Sequence, residues 1–420
     1  MKKIIGATVC ALVLAAAPTT SAAAPVTTPS AQTTNRYIVT LDTGLEGEFH
    51  TNAEAVAAEH ASELGATVSH VYRHALNGYA ASMTPQTAAE IARDPRVRAV
   101  QPDREVHATA AQPLPTGVAR VRTDRSPTAD IDGVDERVDV DVAVIDTGID
   151  LNHPDLNVNK EGGKNCWLGW DFLPPDDYHG HGSHVAGIIG ALDNGRGVTG
   201  VAPGARLWPV RVLSPSGSGT TSEVICGIDY VTEHADEIDV VNMSLGGVGT
   251  DDGNCGRTND DAMHEAICRS VERGITYVVA AGNDNGDAKN MVPAAYDEVI
   301  TVSALADFDG RPGGLGRATC RPDQDDTFAD FSNHGEDVDL IAPGVCIEST
   351  WAFGGYQTIS GTSMAAPHVA GGAALYKATH PGATPGQVRT ALRSAGSGDW
   401  IWPSQDDDTV KEPLLDVSTF

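Results

Sequence analysis

Five apolar runs between Val138 and Leu305 restrict this chain more than any other feature. They are Val138–Ile145, Leu207–Leu213, Ile238–Met243, Ile275–Ala280 and Val299–Leu305, and each is followed by a Gly-rich or polar turn. The first is broken only by Asp139 and Asp141 before Asp146-Thr147-Gly148 closes it. Strands that alternate polar and apolar residues face water on one side, whereas near-continuous runs are covered on both. Helix-length segments lie between them, among them the one opened by His181-Gly182-Ser183-His184-Val185-Ala186-Gly187, and two more follow at Met364–Thr379 and Thr384–Ser394. The pattern predicts an α/β fold: a doubly wound, mainly parallel sheet with helices on both faces. In such sheets the chemistry gathers in the turns beyond the carboxyl ends of the strands.

A different pattern precedes it. Tyr37–Leu41 has the composition of a strand, Ala53–Leu64 of a helix, Leu76–Met83 of a strand pair, Pro85–Arg93 of a helix capped by Thr84, and Val97–Val106 of a last strand. The order β-α-β-β-α-β predicts a small α+β domain of the ferredoxin-like, split βαβ kind over residues 36–107. Ala108–Thr116 is small and linker-like, so a cut near His107–Ala108 is expected. Before this domain, Lys2 and Lys3, the apolar Ile4–Ala17 and the small Ser21–Ala24 have the order of an export signal over residues 1–24. The apolar stretch is too short to span a bilayer, and no other span is visible.

Export makes the cysteines informative. Without Cys10, six remain: Cys166, Cys226, Cys255, Cys268, Cys320 and Cys346. An even number in an exported chain points to disulfides. Proximity favours Cys255–Cys268 and Cys320–Cys346, leaving Cys166–Cys226, although other pairings stay open; no cysteine spacing matches a zinc site. The formal charge of −29 on 420 residues argues against nucleic acid and anionic membrane surfaces as partners. A monomer is expected.

Three of the predicted elements end in residues that can act together. Asp146 closes a buried strand, His181 opens a helix, and Ser363 stands at the start of another within Gly361-Thr362-Ser363-Met364-Ala365-Ala366-Pro367. A serine hydroxyl is a weak nucleophile until an imidazole takes its proton, and a carboxylate can fix that imidazole's tautomer. Asn283, at the end of Ala280-Ala281-Gly282-Asn283, offers an amide to a developing oxyanion. Taken singly, Asp146 is better explained as a turn carboxylate, Ser363 as a helix cap, His181 as a surface histidine and Asn283 as a turn residue. Together they are hard to explain that way.

The segments Asp146–Ile149, His181–Gly187 and Gly361–Pro367 resemble the three active-site motifs of the subtilisin-like serine proteases, in that family's order. Ala280–Asn283 resembles its oxyanion-hole segment, Ser244-Leu245-Gly246-Gly247 its substrate-binding edge, and residues 36–107 its inhibitory propeptide. Ser183 stands where threonine is commoner. The resemblance implies an exported serine endopeptidase, residues 108–420 forming the peptidase domain, made as a self-processing precursor whose propeptide is its own intramolecular inhibitor. It assigns Ser363 as nucleophile, His181 as base then acid, Asp146 as orienter and Asn283 as oxyanion donor, acting on proteins or peptides. Ser244, Leu245, Gly246, Ala280 and Gly282 would frame the pocket for the residue before the cut. Met291 near its floor would favour small or medium apolar side chains there. It also implies a structural calcium ion held by Asp155 and Asn194 with carbonyls of Leu192, Arg196 and Val198, a hard cation taking oxygen ligands. An α/β-hydrolase esterase would need a Gly-x-Ser-x-Gly elbow and the order Ser, Asp, His, which this chain lacks. A catalytically silent relative would have no reason to keep Asp146, His181, Asn283 and Ser363 intact.

Overall fold

The computed structural model describes residues 35–42, 52–103, 112–169, 172–402 and 411–420. The expected export signal and the cut at His107–Ala108 lie outside them. The chain divides into two compact units, Met1–Ala108 and Thr109–Phe420.

The first unit has the order β1 (Asn35–Leu41), α1 (Ala53–Leu64), β2 (Thr67–Tyr72), β3 (Gly78–Met83), α2 (Pro85–Ile91), β4 (Val97–Pro102). Its antiparallel sheet runs β2-β3-β1-β4. Asn52 caps α1 through Oδ1, and Thr84 caps α2 by accepting from the Thr87 N–H at 3.1 Å. The expected strand pair within Leu76–Met83 is corrected: β3 alone occupies it, and its partner is Thr67–Tyr72. That run alternates Thr67, Ser69 and Val71 with Val68, His70 and Tyr72, a polar mixture that hides a strand of which half the residues are exposed and none is buried.

The second unit is built on an eight-stranded sheet in the order β13-β12-β10-β8-β5-β7-β6, with β14 also pairing with β12. After a short α3 (Thr116–Arg120), its first half comprises β5 (Asp141–Asp146), β6 (Lys164–Asn165), α4 (His181–Gly190), β7 (Arg206–Arg211), α5 (Thr221–Glu233) and β8 (Val240–Met243). There follow β9 (Gly247–Val248), α6 (Ala262–Glu272), β10 (Thr276–Ala280), β11 (Met291–Val292), β12 (Ile300–Ala306), β13 (Thr327–Phe328) and β14 (Leu340–Pro343). A hairpin of β15 (Ile347–Trp351) and β16 (Gly355–Ile359) leads into α7 (Thr362–Thr379) and α8 (Pro385–Ala395). All pairings in the large sheet are parallel except β12–β13. The linker expected to reach Thr116 ends earlier, since α3 begins there.

β5 shows why the run had to be continuous. Val142 and Val144 join the core under α4 and α7, while Ala143 and Ile145 join the one under α5 and α6. Successive side chains point to opposite faces, so a strand between two helical layers must be apolar at every position. The last residues belong to the same core: Leu415 and Val417 are buried with α7, and Val417 donates to the Val121 carbonyl at 3.0 Å. Disulfides join Cys166–Cys226, Cys255–Cys268 and Cys320–Cys346, the pairing that proximity favoured.

Candidate active site

Three neighbouring parallel strands, β5, β8 and β10, carry Asp146 as the last residue of the first and Ser244 and Asn283 in the turns after the other two. The helix starts at His181 and Ser363 meet them at the same edge, and one cleft of about 670 Å³ is lined by His181, Ser363, Asn283, Ser244, Leu245 and Gly246 among others.

Asp146 is fully buried, and His181 Nδ1 lies 2.8 and 2.9 Å from its two oxygens. A carboxylate only accepts, so Nδ1 carries a hydrogen and Nε2 is left as the basic nitrogen. Burial disfavours the imidazolium, but the Asp146 charge and hydrogen bond, with Asp177 further off, outweigh it and hold His181 above its ordinary pKa. The approach of α4 to the Asp146 turn needs two glycines. A side chain on Gly182 would fall 2.1 Å from the Gly148 carbonyl oxygen; Gly148 itself has φ +101° and would meet the Pro175 carbonyl at 2.5 Å.

Asp177, which the sequence pattern did not single out, organises this corner. Its buried carboxylate accepts the N–H groups of His179, Gly180 and Ser183 and the hydroxyls of Thr147 and Ser183, all at 2.7–2.9 Å. α4 has no side-chain N-cap of its own, so Asp177 satisfies its free donors and fixes where His181 begins. Ser183 Oγ also accepts from the Asp150 N–H at 2.9 Å, a bond that a threonine hydroxyl makes equally, which is why serine is tolerated. His184, three residues from the base, is fully buried with its Nε2 3.0 Å from the carbonyls of Ile347 and Gln357, and burial pushes its pKa down to about 3. It is a packing residue.

Ser363 sits in the first turn of α7. Pro367, four residues on, has no N–H to offer the Ser363 carbonyl. That carbonyl accepts instead from Ser244 Oγ at 2.8 Å, and Ser363 Oγ donates to the Ser244 carbonyl at 3.3 Å. Two bonds therefore tie the serine to the end of β8, and in this state its hydroxyl is turned towards Ser244 rather than hydrogen-bonded to His181. Asn283 Oδ1 accepts from the N–H and hydroxyl of Thr362 at 2.8 and 3.0 Å, which leaves Nδ2 as the free donor beside Ser363.

The expected specificity residues come together. Leu245, Gly246, Ala280, Gly282 and Met291 line a recess of about 220 Å³ together with Asn283 and Ser363. Met291 fills part of it: a side chain on Gly282 would meet Met291 Cε at 3.1 Å, and one on Gly246 would meet Sδ at 3.2 Å. Ser244 lies on the larger cleft.

Residues 138–411 match the Subtilase family, and residues 36–109 match Peptidase inhibitor I9. The chain belongs to the subtilase family. It is 41% identical over 339 residues to the extracellular serine proteinase of a Thermus species, covering 78% of this chain and 73% of that protein. Subtilisin E of Bacillus subtilis is 35% identical over 368 residues, covering 87% and 86%. A cold-adapted subtilisin-like serine proteinase of known crystal structure superposes with a TM-score of 0.56 at 35% identity, covering 74% of this chain and 99% of that one. The protein is thus a subtilase serine endopeptidase with an inhibitor domain before it. No described helix is long and apolar enough to cross a membrane.

The expected metal residues of this subtilase also gather, around a residue the motifs did not reveal. Gln112 Nε2 donates to the Leu192 and Val198 carbonyls at 2.9 and 2.7 Å, and its Oε1 accepts from Asn194 and Gly195. Buried Asp155 accepts from Asn194 Nδ2, the Val198 N–H and Tyr356, and burial raises its pKa. Arg196 enters through its N–H, which donates to Asn194 Oδ1 at 2.9 Å. A carboxylate, two carbonyls and two side-chain amides make a donor set that fits calcium, because an amide can turn its oxygen inward where its nitrogen now points.

Proposed function

We propose that Asp146, His181, Asn283 and Ser363 carry out peptide-bond hydrolysis through an acyl-enzyme, and that the described geometry is the resting form of that site. The observation that carries the reading is the Asp146–His181 pair, which leaves Nε2 basic and facing the cleft that holds Ser363. A rotation about χ1 of Ser363 moves its hydroxyl from Ser244 towards His181; catalytic hydrogen bonds often tighten only when substrate is bound. His181 takes the serine proton as Oγ attacks the carbonyl carbon. Asn283 Nδ2 and the Ser363 N–H donate to the oxyanion, and His181 then returns the proton to the leaving amine. Water, activated by His181, releases the acyl group.

The chain is exported through residues 1–24, residues 36–107 act as inhibitor and folding aid, and residues 108–420, released near His107–Ala108, are the mature monomeric peptidase. Ser244–Gly246, Ala280, Gly282 and Met291 shape the pocket for the residue before the cut, with Met291 favouring small or medium apolar side chains. Calcium held by Gln112, Asp155, Asn194 and the carbonyls of Leu192, Arg196 and Val198 would tie the first residues of the mature chain to the loop after α4. The test is to express the full precursor and its Ser363→Ala version. The wild type is expected to shorten by self-cleavage and digest casein while the variant stays full length; equal trimming of both, with no casein hydrolysis, would refute the assignment.

A further inference from the structure

A second carboxylate–imidazole arrangement lies outside the cleft, where α6 meets the loop that follows β9. His264, on the first turn of α6, is completely buried, and its ring stacks on Tyr296 at 3.9 Å between centroids. Nε2 lies 2.8 Å from Glu298 Oε2. A carboxylate cannot donate, so the hydrogen is on Nε2, which leaves Nδ1 as the ring nitrogen able to bind a cation.

Nδ1 makes no hydrogen bond. It points at Asp251 Oδ1 and Asp252 Oδ1, 3.6 and 3.7 Å away, and the three atoms lie within 4.8 Å of one another. These separations are too long for a proton to bridge. They are close to the roughly 3.4 Å between neighbouring ligands of a tetrahedral ion with bonds of about 2.0–2.2 Å. Two carboxylate oxygens facing a buried ring nitrogen that makes no hydrogen bond call for positive charge between them, and a ligated cation supplies it while bonding all three atoms.

The rest of the arrangement is what such an ion requires. A ligating histidine characteristically gives its other N–H to a carboxylate, which fixes the tautomer and the ring plane; Glu298 holds that place, and Tyr296 fixes the plane from above. Asp251 Oδ1 accepts only the Gly253 N–H, at 2.6 Å, so a lone pair remains. Asp252 Oδ1 already accepts from Asn254 and Gly256, both at 2.9 Å, and is the weaker of the two oxygens. Cys255 and Cys268 are close by but joined to each other, so their sulfurs are not ligands.

We infer that His264, Asp251 and Asp252 form a binding site for a first-row divalent metal ion of the zinc class, with Glu298 as the positioning residue for His264. The nitrogen ligand sets it apart from a calcium site, since calcium takes oxygen. The ion would lock the 250–261 loop, which continues from the cleft-lining strand at Gly247–Val248, onto α6 and the turn before β12. Its role is structural: none of the three ligands lines the cleft.

The test uses the full-length Ser363→Ala precursor, stripped with chelator, returned to excess calcium so that oxygen-only sites are filled, and titrated with cobalt(II) and then zinc. One cobalt per chain with nitrogen-ligand visible bands, displaced by zinc and accompanied by a higher Tm, is expected. Asp251→Asn and Glu298→Gln should each weaken zinc binding by roughly 10–100-fold, and His264→Gln should abolish the cobalt bands. If His264→Gln does not fold, the two carboxylate variants decide, because both keep side-chain size. No stoichiometric cobalt binding, or affinity unchanged in Asp251→Asn and Glu298→Gln, would overturn the site.

Discussion

His181 and His264 are the same device turned in opposite directions. Each stands at the start of a helix with one ring nitrogen on a carboxylate, Nδ1 on Asp146 in the first and Nε2 on Glu298 in the second. What differs is the view from the other nitrogen. In His181 it faces a cleft that admits substrate, and the group has a raised pKa and a proton to exchange. In His264 it faces two half-buried aspartates at 3.6 and 3.7 Å, too far for a hydrogen bond and close to the spacing of ligands around a metal ion. A carboxylate sets the tautomer in both; the surroundings of the free nitrogen decide whether the result is a base or a ligand.

The hardest test of this contrast is Asp146→Asn. Losing the orienting carboxylate should lower kcat by about 10⁴-fold, as the equivalent change does in another serine protease family. The pH profile should move as well. His181 works as a base only when neutral, so activity falls as pH drops through its pKa. Asp146 raises that pKa against burial, so in the variant the acid limb of any residual kcat/KM should shift to lower pH. An acid limb that stays in place or moves up would mean that Asp146 does not tune His181.

Asn283→Ala comes next. It removes the proposed oxyanion donor but leaves the Asp146–His181 pair intact, so kcat should fall by roughly 10²–10³-fold, the loss already known for the matching change in subtilisin, with KM little altered. Met291→Gly should act on selectivity instead. Opening the recess is expected to raise kcat/KM for peptides with Phe or Tyr before the cut by about tenfold or more relative to Ala. An unchanged preference would show that Met291 does not form the floor. The smallest effect on catalysis belongs to Glu298→Gln, which should leave kcat/KM for a casein-derived peptide within about twofold of wild type in calcium buffer. If it cut activity as deeply as Asn283→Ala, the separation between the two histidines would collapse.

Much of this was legible in the chain itself. The continuous run ending at Asp146 required a strand covered on both faces, and the observed split of Val142 and Val144 from Ala143 and Ile145 is the reason. Thr84 marks a helix start because its oxygen sits where a free N–H needs an acceptor. The strand Thr67–Tyr72 was not legible, because a half-exposed strand with polar residues on both faces has no clean period. Asp177 was invisible for another reason: its five donors come from Thr147, from the approach to α4 and from Ser183 in its first turn, and only folding brings Thr147 there.

By itself the sequence determined the layer architecture and the two-unit order, and it singled out Asp146, His181, Asn283 and Ser363 as the candidates for the site, because hydrophobic periodicity and motif spacing are local properties of the chain. Only the tertiary structure decided the rest. It placed Gln112 against Leu192 and Val198, paired Ser244 with the carbonyl that Pro367 leaves free, and turned the Nδ1 of His264 towards Asp251 and Asp252. Those relations depend on distances between segments far apart in the chain, and such distances are set by how the helices pack on the sheet rather than by any residue's own preference.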